Sequence, residues 1–171
     1  MSLRPDLVAC WIFRTTPEHG LQVLLIRRAP GRIFPGMWQC VTGKLEDERI
    51  LDGALRELVE ETAFTPDDLE ALYTLDQVNI FHADHADRIE VEAVFAAHVR
   101  PDVEPRLSHE HDAARWLSPA EARERVIWPA YREAIERMKW LVAHPDPARW
   151  LRVGAWAVEV EPEALDGPAS G

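Results

Sequence analysis

Apolar and polar positions along this chain repeat with two periods. Alternating or unbroken apolar runs mark strands, and apolar stripes at three- and four-residue spacing mark helices. Leu7–Phe13 is predicted as a first strand, followed by a polar turn over Arg14–Gly20. Leu21–Ile26 is almost wholly apolar, as expected of a central strand covered on both faces. Arg27–Gly36 is a loop punctuated by Pro30, Gly31, Pro35 and Gly36, and Met37–Thr42 is a short strand running into Gly43. Leu72–Ile80 and Ile89–Val99 are further strands. In the second, Ile89, Val91, Ala93 and Phe95 alternate with Glu90, Glu92 and Val94. The polar stretch Phe81–Arg88 between them is a turn, Pro101–His111 is a loop, Ala113–Leu117 is a strand, and Trp150–Val160 reads as extended.

The helices are equally marked. In Ile50–Thr62, Leu51, Ala54, Leu55, Leu58 and Val59 form one apolar stripe. Ser118-Pro119-Ala120-Glu121 has the order of a helix start, with Ser at the N-cap, Pro at the first position and Glu at the third. Pro129–His144 carries Ala130, Ala134, Ile135, Met138, Leu141 and Val142 on its apolar side. Strands mingled with helices in this order indicate an α/β or α+β sandwich. Residues 1–160 read as a single domain, and 161–171 as a flexible acidic tail.

Composition narrows the function. The 171 residues are 47% hydrophobic and 29% charged, ordinary for a globular domain. The net charge of −11 repels a polyanionic backbone, which disfavours a nucleic-acid polymer as partner. A phosphorylated substrate then needs local cations, and a bound metal is one source. Cys10 and Cys40 stand alone in apolar stretches and read as buried thiols, not as a disulfide framework or metal site. Neither a signal pattern nor an apolar run of membrane-spanning length is present, so a cytoplasmic location with no membrane partner is expected.

The helix Ile50–Thr62 carries the candidate chemistry. With Glu57 set at zero, Glu61 falls at about 40° and Glu60 at about −60°, beside the apolar stripe. Like charges three and four apart repel, and carboxylates late in a helix oppose its dipole. A cation relieves both, and Mg²⁺ suits a cluster of hard oxygen donors. It would also make a bound water more acidic, with a carboxylate in reach to take the proton. A solvated acidic face is the plain alternative.

These residues resemble the Nudix (MutT-like) hydrolase signature. Arg56-Glu57-Leu58-Val59-Glu60-Glu61 and the seven-residue interval from Glu48 to Arg56 match it fully. Two departures stand out. Four residues, not five, separate Gly43 from Glu48, so the loop is one short, and Ala63 takes the place of the late glycine. The second implies a helix end that needs no left-handed residue. Trp38–Gly43, Glu110–Leu117 and Trp128–Met138 are similar to segments of the dihydroneopterin triphosphate pyrophosphatase branch. The resemblance implies a Nudix-type α/β/α sandwich with a mixed β-sheet, and hydrolysis of a diphosphate linkage with Mg²⁺ or Mn²⁺. It implies Glu57 and Glu61 as metal ligands and Glu60 as a ligand or the partner of metal-bound water. Arg56 would orient the glutamates, Glu110 would be a further ligand or the base, Glu48 would belong to the catalytic set, and Gly43 would offer its carbonyl.

Other residues carry two readings each. Arg27 and Arg28 end a central strand, where they either contact phosphate or serve as ordinary surface arginines. Trp38 and Phe81 either stack on a ring or pack locally. His111 either contacts substrate or is structural. His82 and His85, with Asp84 and Asp87, fit a solvated turn better than a metal site. The expected partner is a small phosphorylated molecule: a nucleoside or pterin triphosphate releasing pyrophosphate, or else a nucleotide sugar or dinucleoside polyphosphate. A non-catalytic ligand-binding module is a further alternative, and a homodimer is compatible with the chain.

Overall fold

The structure is a computed structural model that describes residues 3–159; the predicted tail lies outside them. Seven strands form one mixed sheet: β1 (Leu7–Thr16), β2 (Gly20–Arg28), β3 (Trp38–Gln39), β4 (Val41–Lys44), β5 (Leu69–Ala83), β6 (Arg88–Val99) and β7 (His111–Leu117). The helices are α1 (Ile50–Thr62), α2 (Pro119–Arg125), α3 (Pro129–Ala143) and the short α4 (Pro145–Ala148). None of them is long and apolar enough to cross a membrane.

The sheet runs β3-β2-β1-β6-β5, with β7 on β2 and β4 on β1. On one side β1 pairs parallel with β6 from Leu7 to Phe13. On its other side it changes partner, facing β4 over Leu7–Cys10 and β2 over Ile12–Thr16. β1 and β2 therefore splay apart, and β3–β4 fills the wedge. This explains why Met37–Thr42 is two strands and not one: the chain leaves β2 after Gln39 and joins β1 at Val41.

Both faces of the sheet are covered. Val8, Cys10, Ile12, Leu24, Ile26 and Val41 pack with Ala54 and Leu58 of α1. Ala9, Trp11, Phe13, Val23 and Leu25 pack with Ala134, Ile135 and Met138 of α3. Double burial is why β1 and β2 read as unbroken apolar runs. Cys10 and Cys40 are free and buried. Burial pushes the Cys10 thiol up to about 12.

Three expectations change. Trp150–Val160 is not a strand across its described part: it folds into 3-10 turns at Arg149–Leu151 and Gly154–Trp156, and only Arg152 bridges to Tyr73. Gly154 turns the chain at φ +63°, so that Leu151 and Trp156 pack inward against the core. The turn between β5 and β6 is shorter than Phe81–Arg88, because Phe81–Ala83 continue the ladder opposite Arg88–Glu90. Third, α1 ends in a left-handed residue after all: Ala63 has φ 59° and ψ 12°, and its amide donates to Val59 O.

The alternation of β6 is present but reversed in polarity at its outer half. Ile89 is 60% exposed, whereas Glu90 and Glu92 are 5% and 4% exposed. The inner positions, Val94 and Ala96, lie on the α3 face, and two-residue periodicity puts the glutamates there too.

Candidate active site

Gly43 and α1 define the site. Gly43 sits opposite Val8 on β4 and so faces α1. A Cβ built on it would lie 1.8 Å from the carboxyl carbon of Glu57. Only glycine admits that carboxylate against the strand. Along α1, Glu57 and Glu61 are 8% and 6% exposed, while the Glu60 side chain is 55% exposed. This is the arc that helical geometry predicts, with the first two glutamates nearest the apolar stripe.

Arg56 is the hub of the loop side. Its Nη2 donates to Glu48 Oε1 at 2.7 Å and to Lys44 O at 3.0 Å. Its Nη1 donates to Glu57 Oε1 at 2.7 Å and to Glu60 Oε2 at 3.3 Å. The shortened loop thus still brings Glu48 to Arg56. Arg4, which sequence reasoning missed, fastens that loop by donating to the carbonyls of Glu46 at 2.6 Å and Glu48 at 2.7 Å. The Arg56 guanidinium holds the Glu48 carboxyl below its ordinary value. Burial raises Glu57, against the pull of Arg56.

The far end of α1 meets the loop before β7. Ser108 Oγ donates to Glu61 Oε2 at 2.8 Å, and its amide donates to Glu61 O. His111 Nδ1 lies 2.5 Å from Glu61 Oε2, and Gln39 Nε2 contacts His111 Nε2 at 3.3 Å. An amide nitrogen only donates, so His111 Nε2 accepts from Gln39, and the proton on Nδ1 faces Glu61 in a close contact that is not aligned as a hydrogen bond. Burial pushes the Glu61 carboxyl up, but His111 and Ser108 together hold it below its ordinary value. Glu110, expected to join the cluster, instead pairs with Arg32 at 3.2 Å. Its neighbour His111 is the residue that reaches the helix.

The remaining candidates lie around this centre. Arg27 pairs with Asp112 at 2.7 Å, and the guanidinium groups of Arg27 and Arg125 lie 5.7 and 5.4 Å from the centre of the Trp38 ring. Arg28 donates to Ile33 O and reaches Gln39 Oε1 at 3.5 Å. Phe81 stands on the outer part of β5, 40% exposed. At the turn beyond it, His82 meets Asp87 in solvent.

A divalent cation fits the donor chemistry of α1: three carboxylates on one arc, two of them largely desolvated. As placed, no three His, Cys, Asp or Glu residues among the described residues are gathered to hold one. Arg56 and His111 hold the carboxylates instead. A second polar group was not anticipated. On the α3 face, Asn79 Nδ2 donates to Glu92 Oε2 at 2.7 Å, and Gln77 Nε2 donates to Asn79 Oδ1 at 2.9 Å. Gln77 Oε1 is buried without a partner. The available signal was Glu90 and Glu92 standing in phase with Val94.

The fold is shared with known proteins. The NUDIX domain profile matches residues 3–138. A Listeria monocytogenes protein named as a NUDIX hydrolase is 25% identical at a TM-score of 0.71, covering 84% of this chain and 97% of that one. The Escherichia coli dihydroneopterin triphosphate pyrophosphohydrolase is also 25% identical, at a TM-score of 0.67, covering 78% of this chain and 94% of that one. A Myxococcus xanthus protein named octanoyltransferase is 40% identical over 119 residues. That match covers 68% of this chain, and this chain spans about a third (32%) of that relative's length.

Proposed function

The chain belongs to the NUDIX domain family, and from that premise we propose that it hydrolyses a diphosphate linkage in a small nucleotide-like substrate with the help of Mg²⁺ or Mn²⁺. The observation that carries this is the approach of the Glu57 carboxylate to Gly43, a place it can keep only while position 43 has no side chain. Glu57 and Glu61 would hold the metal. The metal, when bound, offsets phosphate charge and makes a water acidic enough to attack phosphorus near neutral pH. Arg56 positions Glu57 through its Nη1, keeping the carboxylate at the strand. Glu60, exposed and among the described residues paired with Arg56 alone at 3.3 Å, is the carboxylate freest to take the proton of the attacking water. Glu110 would act from the opposite loop, steadied by Arg32. Arg27, Arg28, Trp38, Phe81 and His111 would line the path of the substrate.

For the substrate, a nucleoside or pterin triphosphate cut to release pyrophosphate is favoured by the likeness to the dihydroneopterin triphosphate pyrophosphohydrolase. A panel of nucleoside triphosphates, a pterin triphosphate, nucleotide sugars and dinucleoside polyphosphates tests this when scored for products. Pyrophosphate release supports it; a nucleoside monophosphate with a sugar phosphate assigns a sugar-linked substrate, and two nucleotides that together carry three or more phosphates assign a dinucleoside polyphosphate.

Glu57→Gln and Glu61→Gln test the reaction itself. Each should lower kcat by about 100-fold or more with Mg²⁺ present, with an unchanged circular dichroism spectrum. Wild-type rates in either variant, or a rate indifferent to chelator, would overturn the proposal. One observation favours a second reading, a module that binds such ligands without cleaving them: Arg56 and His111 already occupy the carboxylates. Calorimetric binding of the panel with no phosphate or pyrophosphate released would select it.

A further inference from the structure

Strand β5 is an edge strand of 15 residues. An open edge offers unpaired backbone groups to any other strand, and proteins blunt such edges with charge, proline or a covering segment. This chain covers its own edge only in part. Arg152 bridges to Tyr73, and the amide of Val153 donates to Leu72 O. Arg137 Nη1 donates to the carbonyls of Leu75 and Asp76 at 2.9 and 2.8 Å. Beyond that point, the stretch from Gln77 to Ala83 has no covering segment among the described residues, and it contains no Lys, Arg or Pro.

The bare stretch is also apolar on one face. Val78 is 58% exposed, Ile80 64% and, across on β6, Ile89 60%. Val78 pairs with Ala93, and Ile80 with Val91. All four of these paired side chains lie on the face that carries α1, since Ala93 stands opposite Val8. They form two apolar rows, and among the described residues Val78 and Ile80 are left largely exposed.

We propose that this edge pairs with the same edge of a second copy of the chain, antiparallel, about a two-fold axis at Asn79. Counting outward from that axis sets Val78 against Ile80 of the partner subunit, and Ile80 against the partner's Val78. The rows then run unbroken across four strands: Val91, Ile80, the partner's Val78, the partner's Ala93, and their two-fold mates. Such cross-strand aliphatic pairs are the stabilising unit of a sheet. Moving the axis to Ile80 loses these pairs, because Val78 then faces the partner's His82. The surface is self-complementary in one register, as a closed two-fold dimer requires.

Light scattering and sedimentation on the full chain, followed by cysteine pairing, test this. The wild type should run at twice the monomer mass at micromolar concentration. Ile80→Lys should raise the self-dissociation constant by about 100-fold or more, with an unchanged melting temperature for the monomer, while Ile80→Val remains dimeric. Mixing a Val78→Cys chain with an Ile80→Cys chain under mild oxidation should give a cross-linked pair that neither chain gives alone. Strand partners stand about 4.5–5.5 Å apart between Cα atoms, within reach of a disulfide. The two native thiols are buried and stay out of the reaction. A monomeric wild type, a dimer that survives Ile80→Lys, or a dimer in which the mixed chains fail to cross-link would each overturn it. None of these readouts depends on hydrolysis, so the proposal stands or falls apart from the function proposed above.

Discussion

Two residues on either side of α1 show how much a single Cβ decides. At Gly43 there is no space for one: the Glu57 carboxyl carbon would lie 1.8 Å away. Gly43→Ala should therefore push Glu57 off β4 while leaving the strand formed. A displacement of about 1 Å at a reacting group costs on the order of 100-fold. The expected outcome is a fall in kcat of that size with a native spectrum, and full activity in Gly43→Ala would remove the central support for the proposed hydrolase. At Ala63 the space exists but the backbone is strained, with φ at 59° in a residue that carries a Cβ. A left-handed non-glycine residue costs roughly 1–2 kcal/mol, part of which glycine gives back as entropy in the unfolded chain. Ala63→Gly should thus raise stability to urea by about 0.5–1 kcal/mol. The sequence pattern suggested the opposite, that alanine meant a helix end without a left-handed turn. The helix instead keeps the turn that lets Phe64 enter the core, 2% exposed, and tolerates the strain.

At the scale of elements, the chain was legible where one periodicity fixes both structure and burial. The α1 boundaries match the predicted Ile50–Thr62, and Ser118 and Glu121 form the reciprocal cap their spacing announces. Pattern failed where a partner far along the chain decides. Cys40 lies between β3 and β4 because β1 and β2 diverge, and nothing local records a change of partner. Glu61 was readable as a site residue, but its contact with His111, 50 positions away, depended on how the loop before β7 docks. The β6 glutamates were visible as an alternation whose inward side only the tertiary fold reveals. They give a prediction. Burial raises the Glu92 carboxyl above its ordinary 4.5, and the like charge of Glu90 adds to this. A folded-state value above the unfolded one stabilises fully below 4.5, and that stability is lost as pH rises through the raised value. Glu92→Gln keeps an acceptor for Asn79 and cannot ionise. It should equal the wild type in thermal stability near pH 4 and exceed it at about pH 8. A variant less stable at the higher pH would mean that the charged form is the one the fold requires.

For the molecule as a whole, the net charge of −11 and the acidic helix pose a single question of how anionic substrate is accepted. Two answers differ in what they predict. If divalent cations act by general screening, any salt of equal ionic strength does the same, since exposed charges more than about 10 Å apart are already screened at 0.1 M. If they bind at α1, they stabilise the folded state by mass action, about 2.7 kcal/mol when the ion is at 100 times its dissociation constant. For a chain of this length that corresponds to a rise of about 5–10 °C in melting temperature. Melting curves of the wild type in Mg²⁺ and in NaCl of matched ionic strength separate the two, and the Glu57→Gln, Glu61→Gln double variant locates the effect. Wild type should gain with Mg²⁺ over NaCl, chelator should reverse the gain, and the double variant should show none. The carboxylates can make this exchange because their present partners are replaceable: Arg56 retains Glu48 and Lys44 O when Glu57 lets go, and His111 retains Gln39 when Glu61 does. Equal gains in wild type and double variant would show that the ion acts on the overall charge, and that the glutamates of α1 are held by Arg56 and His111 for structure alone.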